Sequence, residues 1–157
     1  MTPPDTLLPF LTAQGSLTAL LEQKAGQPLC VKVICEGYQP IDFYHKKLLN
    51  LPLHRPTLAW VREVLLFGNE TKAWVRAKSI FPVGSLSGNA KRLRHLKNTP
   101  IGYVMFKKNR QLPLSRRQYF DGEHFGRQTI YQWQGKNLLV QETFLLEFER
   151  FLSQHQT

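Results

Sequence analysis

Two strand-like segments on either side of a short turn place the strongest limit on the fold of this chain. Residues Leu58–Phe67 and 72–81 both have the composition of β-strands. The Gly68-Asn69 pair between them is typical of a hairpin turn. Pro82 ends the second strand, because proline cannot donate to a sheet ladder. The chain therefore contains antiparallel sheet.

Other segments add strands and short helices to this hairpin. Further strands are predicted at 29–38, 110–120, 126–134 and 137–148. Helices are predicted from Ser16 to Lys24 with Gly26 as the stop, from Ser87 to Leu96, and from Thr99-Pro100 onward. The segment 39–56 is predicted to be irregular. Strand pairs joined by short turns, with helices clustered between them, predict one antiparallel α+β domain over 1–157. We expect a loosely structured lead-in over 1–15, where three prolines fall, and a polar tail over 151–157.

Length and composition exclude several classes of protein. With 157 residues, of which 42% are hydrophobic, the chain can bury a core of its own and is too apolar for a disordered segment. No apolar run reaches the roughly 18 residues of a membrane span, and 1–10 lacks the basic start of a signal peptide. Two cysteines are too few for a disulfide scaffold. We therefore expect a cytoplasmic protein without a membrane span.

Positive charge is concentrated in the middle third of the chain. The formal net charge is +10, and 71–120 contains 12 Lys and Arg but no Asp or Glu, with the densest runs at 91–97 and 107–110. Such a field attracts anions, such as nucleic acid, an anionic membrane surface or a small polyanion. A solvated helix face also accounts for these runs. Because no zinc-finger, KH, RRM or basic-zipper pattern accompanies them, we expect no nucleic-acid partner.

Two charged residues lie inside apolar strands. Arg62 shares a strand face with Trp60 and Val64, and Glu142 shares one with Val140 and other apolar residues. If these faces pack in a core, each charge needs a partner, a ligand or a changed protonation state. One structural salt bridge, or faces turned to solvent, accounts for the pattern. A closed pocket also does, because arginine binds carboxylates through two hydrogen bonds and a glutamate in apolar surroundings can bind a hydroxyl or move a proton.

The sequence contains no pattern typical of a metal or cofactor site. The five histidines and two cysteines lack metal-ligand spacing. A nucleophile elbow and a glycine-rich phosphate loop are also missing from the sequence. We therefore predict no metal site.

Five short stretches carry a resemblance to a known family, which runs in order from about Ser16 to Phe148. They are Trp60-Val61-Arg62-Glu63, Pro82-Val83 with Ser85-Leu86-Ser87-Gly88, Thr99-Pro100-Ile101-Gly102, Gly126-Arg127, and Gly135-Lys136 with the seven residues 138–144. In order and spacing they resemble the chorismate lyase family. The resemblance implies an antiparallel sheet with helices and flap-like loops that cover an internal ligand site. It also implies an enzyme that cleaves chorismate to 4-hydroxybenzoate and pyruvate for quinone head groups, without metal or organic cofactor.

The same resemblance implies site residues. Arg62 and the backbone amide of Ile101 are expected to bind the ring carboxylate of the substrate, and Glu142 its ring hydroxyl. Leu17 is expected to supply a further backbone contact. Lys78 occupies a position where family members often have arginine, and it is expected to stabilise the carboxylate of the leaving enolpyruvyl group.

Two other functions stay open beside this one. Related effector domains of GntR-type regulators share the fold and bind small molecules without catalysis. A nucleic-acid-binding protein would use the basic middle third. We expect a monomer that acts on the small molecule chorismate.

Overall fold

The computed structural model describes residues 1–105, 113–133 and 135–155, and in that part six strands form one sheet. The strands are β1 (Cys30–Pro40), β2 (Leu58–Phe67), β3 (Val75–Pro82), β4 (Pro113–Phe120), β5 (Phe125–Trp133) and β6 (Lys136–Phe144). Their order in the sheet is β1-β2-β3-β6-β5-β4, and every neighbouring pair is antiparallel. The predicted antiparallel α+β fold is therefore confirmed.

Short helices lie before, between and after the strands. They are α1 (Leu8–Thr12), α2 (Leu17–Ala25), α3 (Phe43–Leu48), α4 (Ile101–Met105) and α5 (Leu146–Gln154), with 3-10 helices at Val83–Ser85 and Gly88–His95. The predicted limits of α2 are confirmed: the Ser16 hydroxyl accepts a hydrogen bond from the Ala19 amide at 3.2 Å, and Gly26 ends the helix with φ of 71°. Within the described residues, none of the helices is long and apolar enough to cross a membrane.

The two ends of the chain are more ordered than the sequence predicts. Residues 1–15 are not a loose lead-in, because they contain α1 and bury Phe10 and Leu11. Residues 151–155 are not a polar tail, because α5 continues through Gln154 and buries Phe151. The reason is a contact between the two ends: the ring centroids of Phe10 and Phe148 lie 4.9 Å apart, edge to face.

Two internal boundaries also differ from the sequence prediction. The stretch 39–56, predicted to be irregular, contains α3, whose cap Asp42 accepts a hydrogen bond from the His45 amide at 2.8 Å. The last strand, predicted to continue to 148, ends at Phe144 before α5 begins. The basic run 107–110, the start of the strand predicted over 110–120 and residue 134 lie outside the described residues.

Each face of the sheet carries its own apolar core. We call the face that bears Val64 and Phe81 the inner face; α1, α2, α4, α5 and the 3-10 helix Gly88–His95 cover it in two apolar clusters. The opposite, outer face bears Val61 and Ile80, which pack against Ile41 and residues around α3. Successive side chains of a strand alternate between these faces, so the position of a residue decides which core it enters.

The turn after β2 requires glycine at position 68, because the buried Trp74 indole packs directly against it. A Cβ on Gly68 would overlap the indole carbons. We expect Gly68→Ala to lower the free energy of unfolding by about 1–3 kcal/mol, as overpacking does, in a urea titration. The control is Gly37→Ala in β1, where no described atom lies within 4 Å of the added Cβ. Equal effects of the two substitutions would contradict this account of the turn.

Candidate functional site

The structure brings Arg62 and Glu142 onto the same buried face of the sheet. Arg62 of β2 pairs with Ser79 of β3, and Glu142 of β6 pairs with Ala77 of β3. Since Ser79 and Ala77 are two residues apart on one strand, both charged side chains project from the inner face. They are 2% and 8% exposed. Strand spacing places their Cα atoms about 12 Å apart on this face.

Arg62 is held by backbone carbonyls of the segment that lies over it. Its Nη2 donates hydrogen bonds of 2.9 Å to the carbonyl oxygens of Lys97 and Thr99. Its Nε lies 3.5 Å from Glu36 Oε2 and has no hydrogen-bond partner among the described residues. Burial lowers the pKa of the Arg62 guanidinium, and the Glu36 carboxylate opposes that shift. The group remains a cation, with donor capacity for a carboxylate.

The contact with Thr99 places the start of α4 over Arg62. Ile101, the first residue of α4, packs against the inner-face cluster that contains Phe81 and Leu93. Helix α2 meets α4 at this point, because a Cβ on Gly102 would lie only 2.6 Å from Thr18 Oγ1. Leu17, the first residue of α2, is buried in the other inner cluster. The predicted backbone positions 17 and 101 therefore both lie in the cover of the inner face.

Glu142 forms an ion pair with Arg127, which also binds the end of the first helix to the sheet. Arg127 Nε donates to Glu142 Oε1 at 2.8 Å, and Arg127 is fully buried. Its Nη1 donates to the carbonyl oxygens of Phe10 and Ala13, at 2.9 and 3.0 Å. The salt bridge considered from the sequence thus exists, but the arginine is Arg127 rather than Arg62. The pair engages Oε1, and Oε2 has no hydrogen-bond partner among the described residues.

A further arginine lies beside this pair. Arg116 of β4 donates from Nε to Thr129 Oγ1 at 2.9 Å and from Nη2 to the Tyr131 hydroxyl at 3.2 Å. Its Nη1 donates to the Ala13 carbonyl, which Arg127 also holds. Burial lowers the pKa of Arg116, and the neighbouring Arg127 lowers it further. Two guanidinium groups therefore converge on the end of α1.

Positive charge exceeds negative charge on the inner face. The arginines Arg62, Arg116 and Arg127 face the carboxylates of Glu36 and Glu142, an excess of 3 − 2 = +1 within the described residues. In a buried setting an excess cation is costly unless an anion joins it. The site is therefore suited to an anionic ligand.

The structure does not bring Lys78 to this site. Lys78 pairs with Glu63 of β2 and with Gln141 of β6, which are the sequence neighbours of Arg62 and Glu142. Adjacent residues of a strand point to opposite faces, so Lys78 lies on the outer face. We expected Lys78 to contact a ligand together with Arg62 and Glu142. The register instead places Lys78 on the opposite face of the sheet.

The sequence prediction missed four polar residues of the site. The alternation of Arg127, Thr129 and Tyr131 along one strand was an available signal, because it marks a polar strand face next to a matched motif. Arg116 lies in a stretch with no clear match to the family, so only the pairing of β4 with β5 reveals its place.

The basic run 91–97 forms part of the cover and not of the buried site. In the 3-10 helix Gly88–His95, Leu93 is buried, whereas Lys91 and Arg92 are exposed. This arrangement matches a solvated helix face. Arg92 and His95 also line a groove of about 700 Å³ between this helix, α2 and α4. Exposed positive charge therefore lies next to the place where the cover elements meet.

Solved structures of similar fold include PhnF from Mycobacterium smegmatis and its effector domain. The effector domain of PhnF from Mycobacterium smegmatis superimposes with a TM-score of 0.54 over 85% of this chain and 90% of that chain, at 11% identity. Full PhnF gives a TM-score of 0.57 over 87% of this chain and 66% of that chain, at 10% identity. At such identities the likeness defines the fold alone.

Sequence comparison defines the family. The family model described as chorismate lyase matches residues 1–155. A protein of Psychrobacter cryohalolentis named probable chorismate pyruvate-lyase is 51% identical over 93% of this chain and 89% of its own length. A chorismate pyruvate-lyase of Escherichia coli O1:K1 / APEC is 30% identical over 88% of this chain and 82% of its own length. The chain belongs to the chorismate lyase family.

The buried ion pair yields a stability prediction. We expect Arg127→Met to lower the free energy of unfolding by about 3–5 kcal/mol, because the Glu142 carboxylate loses its partner in a buried setting. The double variant Arg127→Met/Glu142→Leu should recover part of that loss in a urea titration, because the unpaired carboxylate is gone while the contacts of Arg127 with the Phe10 and Ala13 carbonyls stay lost.

A matched control is the exposed pair on the outer face. Arg76 Nη2 lies 2.6 Å from Glu63 Oε1, and the Arg76 side chain is 55% exposed. Arg76→Met should therefore cost less than about 1 kcal/mol. A double variant no more stable than Arg127→Met would contradict the assignment of the buried pair.

Proposed function

We propose that this protein is an enzyme that cleaves chorismate to 4-hydroxybenzoate and pyruvate. Membership of the chorismate lyase family supports the proposal. The observation that carries it is the pair Arg62 and Glu142, which project from one buried face of the sheet on strands either side of β3. A cation at one end and a carboxylate at the other suit a ring that carries a carboxylate and a hydroxyl at opposite positions.

The reaction places few chemical demands on the protein. Chorismate is a dianion with one carboxylate on the ring and one on the enolpyruvyl ether. The C3–O bond breaks, the hydrogen at C4 is lost, and the electrons of that C–H bond complete the aromatic ring. The released enolpyruvate gains a proton at its methylene carbon and becomes pyruvate. Aromatisation supplies much of the driving force, so the enzyme has to orient the substrate and stabilise charge on the leaving group.

Family resemblance and geometry together suggest a role for each residue. Arg62 and the Ile101 amide bind the ring carboxylate. The Arg62 guanidinium would then donate both to this carboxylate and to the carbonyl oxygens of Lys97 and Thr99. Glu142, fixed through Oε1 by Arg127, receives the C4 hydroxyl at Oε2 and assists proton movement. The Leu17 backbone adds a contact from the cover.

The cover isolates the reaction from water. The first turns of α2 and α4 meet over the inner face, so substrate entry and product release require these elements to separate. An aromatic product beneath such a cover leaves slowly, and we propose that its release limits turnover. The exposed cations of 91–97 would raise the local concentration of the dianionic substrate.

The biological setting is proposed on the resemblance. The product would supply quinone head groups, and the protein would act as a monomer in the cytoplasm. The two cysteines, free and exposed, are compatible with a reducing compartment.

The proposal is tested with chorismate and purified protein. Formation of 4-hydroxybenzoate is followed by its ultraviolet absorbance, and pyruvate should appear in equal amount. Arg62→Met should lower kcat/KM by about 100-fold or more through loss of charge-assisted hydrogen bonds, and Glu142→Gln should also lower it. The control is Arg117→Met, an exposed residue of β4 on the outer face, which should retain activity.

Other outcomes would contradict the proposal in distinct ways. Absence of product from the wild-type protein would refute the lyase activity. Tight binding of an aromatic carboxylate without turnover would support a non-catalytic binding module of the same fold. Binding of DNA or RNA that weakens steeply with salt would instead support the nucleic-acid alternative.

A further inference from the structure

We propose that Arg116 binds the second carboxylate of the substrate, the one on the enolpyruvyl group. This inference rests on the proposed cleavage of chorismate and assigns a contact that the sequence had suggested for Lys78. It makes Arg116 a residue that selects a dianion over a monoanion of the same ring shape.

The orientation of the ring places this second carboxylate at the Glu142 end of the site. Arg62 would bind the carboxylate on C1, and Glu142 the hydroxyl on C4. The enolpyruvyl ether is attached to C3, which is the carbon next to C4. Its carboxylate therefore extends from the end of the ring near Glu142, away from Arg62.

Two arginines lie at that end, and their charges are balanced differently. Arg127 already pairs with Glu142 at 2.8 Å. Arg116 donates its three hydrogen bonds to neutral acceptors, two hydroxyl groups and the Ala13 carbonyl, and forms no ion pair within the described residues. Arg116 is therefore the cation at this end of the site whose charge lacks a carboxylate partner.

The surroundings of Arg116 prepare it to bind an anion. Thr129 and Tyr131 hold Nε and Nη2, so the plane of the guanidinium is fixed before the ligand arrives. A guanidinium has five N–H donors, and three are engaged here, which leaves two for a carboxylate. Partial burial and the charge of Arg127 both lower the pKa of Arg116, and a carboxylate would relieve both effects.

The fold places the alternative cation on the other face of the sheet. Lys78 pairs with Gln141 and projects from the outer face, so the sheet lies between it and the Glu142 carboxylate. Arg117, the neighbour of Arg116 in β4, pairs with Gln128 and is exposed on that same outer face. The two adjacent arginines of β4 thus provide a test residue and its control.

The test compares a dianionic with a monoanionic ligand in the full-length protein. For the wild type, Arg116→Met, Arg116→Lys and Arg117→Met, one measures kcat/KM and KM for chorismate and the Kd of 4-hydroxybenzoate. Arg116→Met should raise KM for chorismate about tenfold or more, because it loses a charge-assisted contact. The Kd of 4-hydroxybenzoate, which lacks the second carboxylate, should change less than about threefold. Arg116→Lys should recover part of the loss, and Arg117→Met should resemble the wild type.

Three results would overturn the assignment. Equal weakening of both ligands in Arg116→Met would show a purely structural role at the end of α1. The assignment would also be wrong if Lys78→Met, and not Arg116→Met, weakened the binding of chorismate more than that of 4-hydroxybenzoate. Failure of the wild type to bind either ligand would remove both this inference and the proposed function.

A failure of the proposed function alone has a different signature. If the wild type binds chorismate without cleaving it, the ratio of the two Kd values still decides the role of Arg116. A ratio of chorismate Kd to 4-hydroxybenzoate Kd that rises about tenfold in Arg116→Met supports the contact, and an unchanged ratio refutes it.

Discussion

The buried ion pair between Arg127 and Glu142 connects the sheet to the elements that cover it. One end of Arg127 fixes the Glu142 carboxylate, and the other end holds the carbonyls of Phe10 and Ala13. The chain continues from Ala13 to Ser16, which caps α2, so the same contact sets where Leu17 begins the helix. Removing a buried charge from its partner is costly, and this cost makes the arrangement specific. Arg127 thus links the orientation of Glu142 to the position of the cover.

A second constraint is the excess positive charge on the inner face. Arg62 is held at its Nη2 atom by carbonyls of the cover, and Arg116 donates only to neutral groups. Arg62 is buried with one carboxylate at 3.5 Å, and Arg116 is partly buried without an ion pair in the described part of the chain, so a dianion would add favourable charge at both. In this account the exposed cations of the cover attract the substrate, and Arg62 and Arg116 on the inner face determine which anion is retained.

Part of the site could be predicted from the sequence because alternation along a strand is a local property. It placed Arg62 with Trp60 and Val64, and Glu142 with Val140, on faces that the structure buries. The face that Lys78 occupies relative to Arg62 depends instead on the register across the turn between β2 and β3, which local pattern does not determine. The order of α1 depends on packing of Phe10 against Phe148, residues separated by almost the whole chain. Long-range contacts of this kind decided the order of the chain ends, whereas α3 is capped locally by Asp42 and was missed although that signal lies in the sequence.

The most direct test of this account is a crystal structure of the protein with 4-hydroxybenzoate. The account predicts one molecule between the inner face and the cover, with its carboxylate at the Arg62 guanidinium and the Ile101 amide, and its hydroxyl at Glu142 Oε2. The Arg127–Glu142 pair should persist in that complex. A ligand bound on the outer face near Lys78, or bound inside with its carboxylate toward Glu142, would contradict the account.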